Sequence, residues 1–304
     1  MRCLIWRQHR GQALWVLLIL AAMCTLMLGV ELSASHWVAS IRDARQSLKA
    51  AGCSVPPAGD QLRVLGPPAG KAGSCSALLQ ELSLREASIS SYNLALFVFH
   101  DCVPAAFAVI GAPAGAPLVA REIEQRSQLA AWTQSVSRRR WYVTKVAAVA
   151  AGLAVAGLAA GVANDWLQRP LTEGGLTDSR WPWFVSIDLA LAGEAVLAFA
   201  LAVAIGAWLR RTLPAIGGAL IGSAVLLLGA WWAVRTLTPV RHTTLPRFRV
   251  PPGGWIMQAP SGLGVPYHPA SQYWPLQVTF LAILLGLAAA LLGAGWHATR
   301  TRAV

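Results

Sequence analysis

Five long uncharged runs constrain this chain more than any motif does: 13–30, 146–163, 195–209, 214–234 and 276–298 are rich in Leu, Ala, Val and Gly. Helical segments of ~18–25 such residues match a bilayer hydrocarbon core of ~30 Å at ~1.5 Å per residue. Charged residues make up 12% of the 304 positions, where an ordinary soluble domain carries ~25%. Too little polar surface remains to cover a water-exposed fold. The bilayer is therefore the solvent for most of the chain.

A formal net charge of +12 would suit a nucleic-acid binder, but the basic residues lie in the connections between apolar runs, not on one face of a folded domain. The run from Ala13 follows Arg2, Arg7 and Arg10 and exceeds a secretory core of ~7–15 residues, so it reads as a retained first span. We place six transmembrane helices near 13–35, 90–114, 143–164, 184–208, 214–234 and 275–297, an all-α polytopic membrane protein. With both termini cytoplasmic, the inner segments hold 13 of the 25 basic residues in about 50 positions, and the outer ones hold 12 in about 115. Arg138, Arg139, Arg140, Lys145, Arg210 and Arg211 carry most of that asymmetry.

Residues 36–89 form an outer helical hairpin. Trp37, Ile41, Ala44 and Leu48 recur at helical spacing, as do Leu78, Leu79 and Leu82. Pro56, Pro57, Pro67 and Pro68 break the chain between them. Cys53 closes the first helix and Cys75 opens the second, on a face that is oxidising, so a Cys53–Cys75 disulfide is expected. A second outer loop, 235–274, is rich in Pro and Gly and reads as irregular. It carries Arg235, Arg241, Arg247 and Arg249, suited to lipid headgroups, while Trp255, Tyr267, Tyr273 and Trp274 suit an aromatic belt.

Chemistry-bearing motifs are missing. Gly66–Ala72, GPPAGKA, falls one residue short of a phosphate loop and ends in Ala where Ser or Thr is needed. His100, Asp101 and Cys102 are consecutive, and adjacent helical residues point ~100° apart, so they make no catalytic constellation. No HExxH, GxSxG or paired CxxC occurs. We expect no catalytic residue, metal site or cofactor in this chain. The pairs Gly111–Gly115, Gly157–Gly161 and Gly218–Gly222 permit close helix approach and read as packing within the chain.

Three acids fall at membrane depth. Counting along a helix from Trp183 puts Asp188 at ~7 Å, able to snorkel outward, and Glu194 at ~16 Å; Asp101 lies ~14 Å below Tyr92. A central carboxylate costs ~2.5–3.5 kcal/mol on insertion scales and should face protein or water. Asp101 and Glu194, with His100 as a partner, are thus candidates for a transport pathway, against a structural role within the bundle.

The most informative stretch is GAPLVAREIEQRSQLAAWTQSVSRRRW, Gly115 to Trp141. Val119, Ile123 and Ala130 form an apolar stripe, Glu122 and Arg126 make an i, i+4 pair, and Thr133, Ser135 and Ser137 are capping candidates for a restart at the basic cluster. This describes a short amphipathic helix, a break, and a helix entering the membrane. Together with WRQHR (Trp6–Arg10), LRRTLPA (Leu209–Ala215) and YHPASQYWPLQ (Tyr267–Gln277), the segment resembles the actinobacterial branch of the ABC transporter type-two permeases. Arg126 and Ser127 depart from the Gly-Thr usual there, and Phe280 from a common Glu.

The resemblance implies a single permease domain, 1–304. It comprises an elbow at 1–12, the extracellular hairpin at 36–89, a cytoplasmic coupling region at 115–142 and the second extracellular loop. It implies Arg121, Glu122, Glu124, Trp132, Gln134 and Arg138 as ATPase-coupling positions. ATP and Mg would be bound by a cytosolic ABC ATPase subunit. Further partners would be a second permease copy or paralogue and membrane lipids, with no nucleic acid, in the cell inner membrane. The expected function is export of a hydrophobic or amphiphilic substrate. The alternative is a sensing or antimicrobial-immunity module with little bulk transport.

Overall fold

The structure, a computed structural model, describes residues 35–53, 72–124, 137–173, 184–243, 254–256 and 265–301, with isolated helical positions between Leu18 and Leu32. The elbow, most of the expected first span, the hairpin tip, and Trp132 and Gln134 lie outside the described residues. The helices are α1 (35–50), α2 (Ala72–Glu124), α3 (Arg138–Glu173), α4 (Ala190–Leu209), α5 (Thr212–Leu237) and α6 (Tyr273–Thr301). Among the described residues five stretches are long and apolar enough to cross a membrane: Cys102–Glu122, Arg138–Trp166, Ala190–Leu209, Thr212–Leu237 and Ala270–Thr301.

The second expected span is displaced. Helix α2 runs unbroken through Pro104, Pro113 and Pro117, and its apolar stretch begins at Cys102, not near residue 90. Each proline removes one N–H donor, which packed spans tolerate because neighbouring groups and local adjustment satisfy the freed carbonyls. Val119 and Glu122 therefore belong to the last turns of a span, where a separate interfacial helix was expected. At 53 residues α2 is ~80 Å long, so its first half extends well beyond the membrane stretch. There it packs antiparallel on α1, with Ile41, Ala44, Leu48 and Leu82 buried together and Arg85 donating 2.8 Å bonds to the Ser40 carbonyl and hydroxyl. A disulfide joins Cys53 and Cys75, whose Cα atoms are 5.9 Å apart. This end is called the disulfide end below, and the opposite one, with Arg138–Arg140, Arg210 and Arg211, the basic end.

Helix α4 is the hub. Seventeen of its 20 residues are buried, which its sequence allows because every position but Glu194 is apolar or glycine. Close approach comes from glycines on the neighbours. A Cβ on Gly115 of α2 would lie 2.5 Å from the Phe199 carbonyl oxygen, and one on Gly161 of α3 would lie 2.1 Å from that of Asp188. The Gly111–Gly115 and Gly157–Gly161 pairs thus pack within the chain. Three apolar clusters surround α4: Phe184, Leu197, Ala230, Phe280 and Leu284 join it to α5 and α6; Phe107, Trp141, Leu153 and Phe199 join it to α2 and α3; Ala112, Ala116, Leu201, Ala202, Ala215 and Ala219 join it to α2 and α5.

The 235–274 loop is more regular than expected. Strands β1 (Arg241–Thr243), β2 (Trp255–Ile256) and β3 (Val265–His268) form an antiparallel sheet in the order β1-β3-β2, with Arg241 opposite Tyr267 and Trp255 opposite His268. Prolines and glycines keep the strands to two to four residues without preventing the ladder. A 3-10 turn, Ala270–Gln272, leads into α6.

Candidate functional site

Two polar constructions stand out against the apolar bundle, one at each end. At the basic end, α3 starts with the Ser137 hydroxyl accepting a 3.3 Å bond from the Arg140 N–H, which satisfies an orphan donor of the first turn. Of the three capping candidates, Ser137 takes this role; Thr133 and Ser135 lie outside the described residues. One turn on, Lys145 makes an ion pair with Glu122, at the last turn of α2. Its ammonium also sits 4.9 Å over the ring of buried Trp141. Glu124 accepts a 3.2 Å bond from Thr212, the first residue of α5. The Tyr142 hydroxyl donates 2.8 Å to the Leu292 carbonyl of α6, and its ring lies 5.6 Å from Trp296.

The residues that flank the coupling segment therefore tie α2 to α3 and α5, and α3 to α6. Arg121, Glu124 and Arg138 are exposed, while Glu122 is half-buried against Lys145. Arg126, the partner expected for Glu122 from spacing, lies outside the described residues. Between α4 and α5 only Arg210 and Arg211 intervene. Arg210 adopts a left-handed backbone (φ 55°) and returns its N–H to the Gly206 carbonyl at 3.0 Å, a helix ending more often built with glycine. The turn places both arginines in the open at the same end as Arg138–Arg140.

At the disulfide end the acids are arranged differently from the sequence reading. Residues 184–189 form turns, not helix, so Glu194 lies only about 8 Å on the disulfide side of the midpoint of α4. It is buried, and its Oε2 has no hydrogen-bond partner. Asp188 does not snorkel. It is buried in a left-handed turn (φ 55°) and accepts a 2.7 Å bond from the Tyr273 hydroxyl. Gly111 packs beside Ala195 and Ala198, and Gly115 beside Phe199 and Ala202, so α2 and α4 run parallel. That register puts the backbone of Asp101 level with the Asp188 turn, roughly 10 Å along the axis from Glu194. His100 and Asp101 lie on α2, with side chains outside the described residues. The backbone of Asp101 thus lies nearer the disulfide end than Glu194, where comparable depths were expected.

Sequence reasoning missed a polar layer that closes this end. Gln277 donates 2.7 Å to the Phe184 carbonyl and 3.3 Å to the Tyr273 hydroxyl, Asn164 donates 2.8 Å to the Ser186 carbonyl, and His268 Nδ1 meets Gln272 at 2.7 Å. The Asn164, Tyr273 and Gln277 bonds hold the 184–189 turn between α3 and α6, and the His268–Gln272 contact ties β3 to the turn that leads into α6. The available signal was YHPASQYWPLQ: Tyr273 and Gln277 are four apart, hence on one helix face, in an otherwise apolar span. Among the described residues no group of three or more His, Cys, Asp or Glu side chains is placed to hold a metal.

A bundle of long apolar helices around one buried hub, with polar groups gathered at the helix ends, defines a multi-pass integral membrane protein. Residues 17–235 match the family described as ABC-2 membrane transporter related, and the chain belongs to that family. No curated protein and no solved structure matches it. Membership makes the chain a permease component of the ABC-2 kind, a class that works in general with an ABC ATPase. It extends the sequence resemblance to the type-two permeases and leaves the actinobacterial branch unassigned.

Proposed function

We propose that the chain is the membrane-spanning half of an ABC exporter, driven by a separate cytosolic ATPase through the segment between α2 and α3. The observation that carries this reading is the bracket at the basic end. Glu122 binds Lys145 and Glu124 binds Thr212, so displacement of the intervening segment is transmitted to α2, α3 and α5 together. All three pack on α4, and a rigid linkage of this kind has the form that domain-level switching requires. Arg121, Trp132, Gln134 and Arg138 complete the ATPase-facing surface. The basic end is then cytoplasmic, with both termini on that side of the cell membrane and the elbow and first of six spans preceding α1.

The functional unit pairs this subunit with a second copy or paralogue and two ATPases. The substrate is hydrophobic or amphiphilic. Glu194 belongs to the interior of its path, His100 and Asp101 to the exit end, and the disulfide-bridged hairpin shapes the outer opening. Co-expression with a cognate ABC ATPase, followed by reconstitution, tests the proposal. ATP-dependent extrusion of fluorescent amphiphiles is expected, and it should vanish when the Glu122–Lys145 pair is broken.

A further inference from the structure

Among the described residues Glu194 has no structural partner. Its Oε2 is buried without a hydrogen-bond partner, and none of the ion pairs among the described residues includes it. An uncompensated buried carboxylate destabilises a bundle, so packing alone would favour an apolar residue there. Its place in the fold is also specific. Glu194, Leu201 and Ile205 follow one stripe of α4 at i, i+7 and i+11. Leu201 and Ile205 meet Gly222 and Gly218 of α5, while the adjoining Ala198 and Ala202 meet Gly111 and Gly115 of α2. The carboxyl therefore lies where the α2–α4–α5 seam continues toward the disulfide end. That seam is lined by Ala112, Ala116, Leu201, Ala202, Ala215 and Ala219, and the buried Ser223 hydroxyl beside it is already spent on the Ala219 carbonyl at 2.6 Å.

We propose that Glu194 is the recognition carboxylate for a cationic, otherwise apolar substrate, which enters between α2 and α5 and places its positive charge against this side chain. The inference rests on the permease reading and narrows its substrate class. The complement follows from chemistry. A lone carboxylate in a mainly apolar seam selects one positive charge on an apolar body; it repels an anion, and it leaves most hydroxyls of a sugar without partners. The seam is closed here, so entry needs α5 to part from both α2 and α4, as in the rearrangement that the ATPases would drive. The competing occupant of the carboxyl is a proton alone.

The test is equilibrium binding of radiolabelled tetraphenylphosphonium to the purified full-length chain in nanodiscs, with triphenylphosphine oxide as the uncharged competitor. Wild type is expected to bind the cation saturably, with at least tenfold weaker binding in Glu194→Gln and no displacement by the neutral compound. Glu194→Asp, which keeps the charge, is expected to retain part of the affinity. Thermal unfolding of Glu194→Gln should match or exceed wild type, showing that lost binding is not lost folding. Equal binding by wild type and Glu194→Gln, or no saturable binding by wild type, overturns the proposal. Failure of the permease reading shows separately, as absence of an ATPase bound to the wild-type chain.

Discussion

Tyr273 donates a 2.7 Å hydrogen bond to Asp188, joining the start of α6 to the turn that precedes α4 across 85 residues of sequence. Both partners are buried, so the bond lies under little solvent competition. Tyr273→Phe should lower stability by about 1.5–3 kcal/mol, the range for a hydrogen bond to a charged group. Asp188→Asn, which keeps an acceptor and tolerates the left-handed backbone, should cost less. Thermal midpoints in detergent would rank the two variants. Equal midpoints for wild type and Tyr273→Phe would show that the bond does not hold the turn.

Glycine substitutions in α3 should separate by position. A Cβ on Gly161 would stand 2.1 Å from the Asp188 carbonyl oxygen, while one on Gly152 meets nothing within 4 Å. Gly161→Ala is therefore expected to destabilise by about 1–3 kcal/mol or more, through forced separation of α3 from the turn. Gly152→Ala should be neutral or slightly stabilising, because alanine loses less backbone freedom in a helix. Yield of monodisperse protein from a membrane extract is the readout.

The Cys53–Cys75 bridge closes a segment of 22 residues, and removing it should cost the hairpin about 3 kcal/mol against local opening. Mass-tagged maleimide applied to non-reduced protein should leave both positions unlabelled, and reductant should expose both. Denaturing the non-reduced protein before tagging supplies the internal control, because it exposes Cys102 to reagent while the bridge stays closed. Labelling of Cys53 and Cys75 without reductant would remove the bridge from the native protein.

Charge reversal probes the basic-end bracket. Glu122→Lys and Lys145→Glu each place like charges together where an ion pair stands, and each should uncouple ATP turnover from transport while leaving ATPase binding intact. The double reversal restores opposite charges and should recover a large part of the coupling. Singles without effect, or a double no better than either single, would argue that the pair does not transmit motion.

Much of this fold is written in the apolar runs, because a bilayer leaves helices few alternatives. The disulfide was legible too, since cysteines at the ends of two helical patterns must meet when those patterns pair. Ser137 was legible only as one of three capping candidates, and the start of α3 at Arg138 selects it. The extent of α2 was not legible. The polar residues after Gly115 read as a separate interfacial helix, and only the packing of Gly111 and Gly115 on α4 shows one helix running on through Pro113 and Pro117. The depth of Glu194 was misjudged because turns at 184–189 consume chain without consuming helical rise. Asp188 seemed free to reach water because Tyr273, its partner, is remote in sequence. The short strands of 241–268 escaped notice because ladders of two to four residues carry no periodic signal.

The central claim is that the α2–α3 connection is a cytoplasmic lever worked by a separate ATPase, and site-directed crosslinking tests it most directly. A photoreactive residue at Gln134 should, in intact cells, form a covalent adduct with the ABC ATPase, and the adduct should change with nucleotide state. A cysteine at the same position should resist membrane-impermeant thiol reagents added from outside. Labelling from outside, or no ATPase adduct at Gln134 or Trp132, would contradict the account.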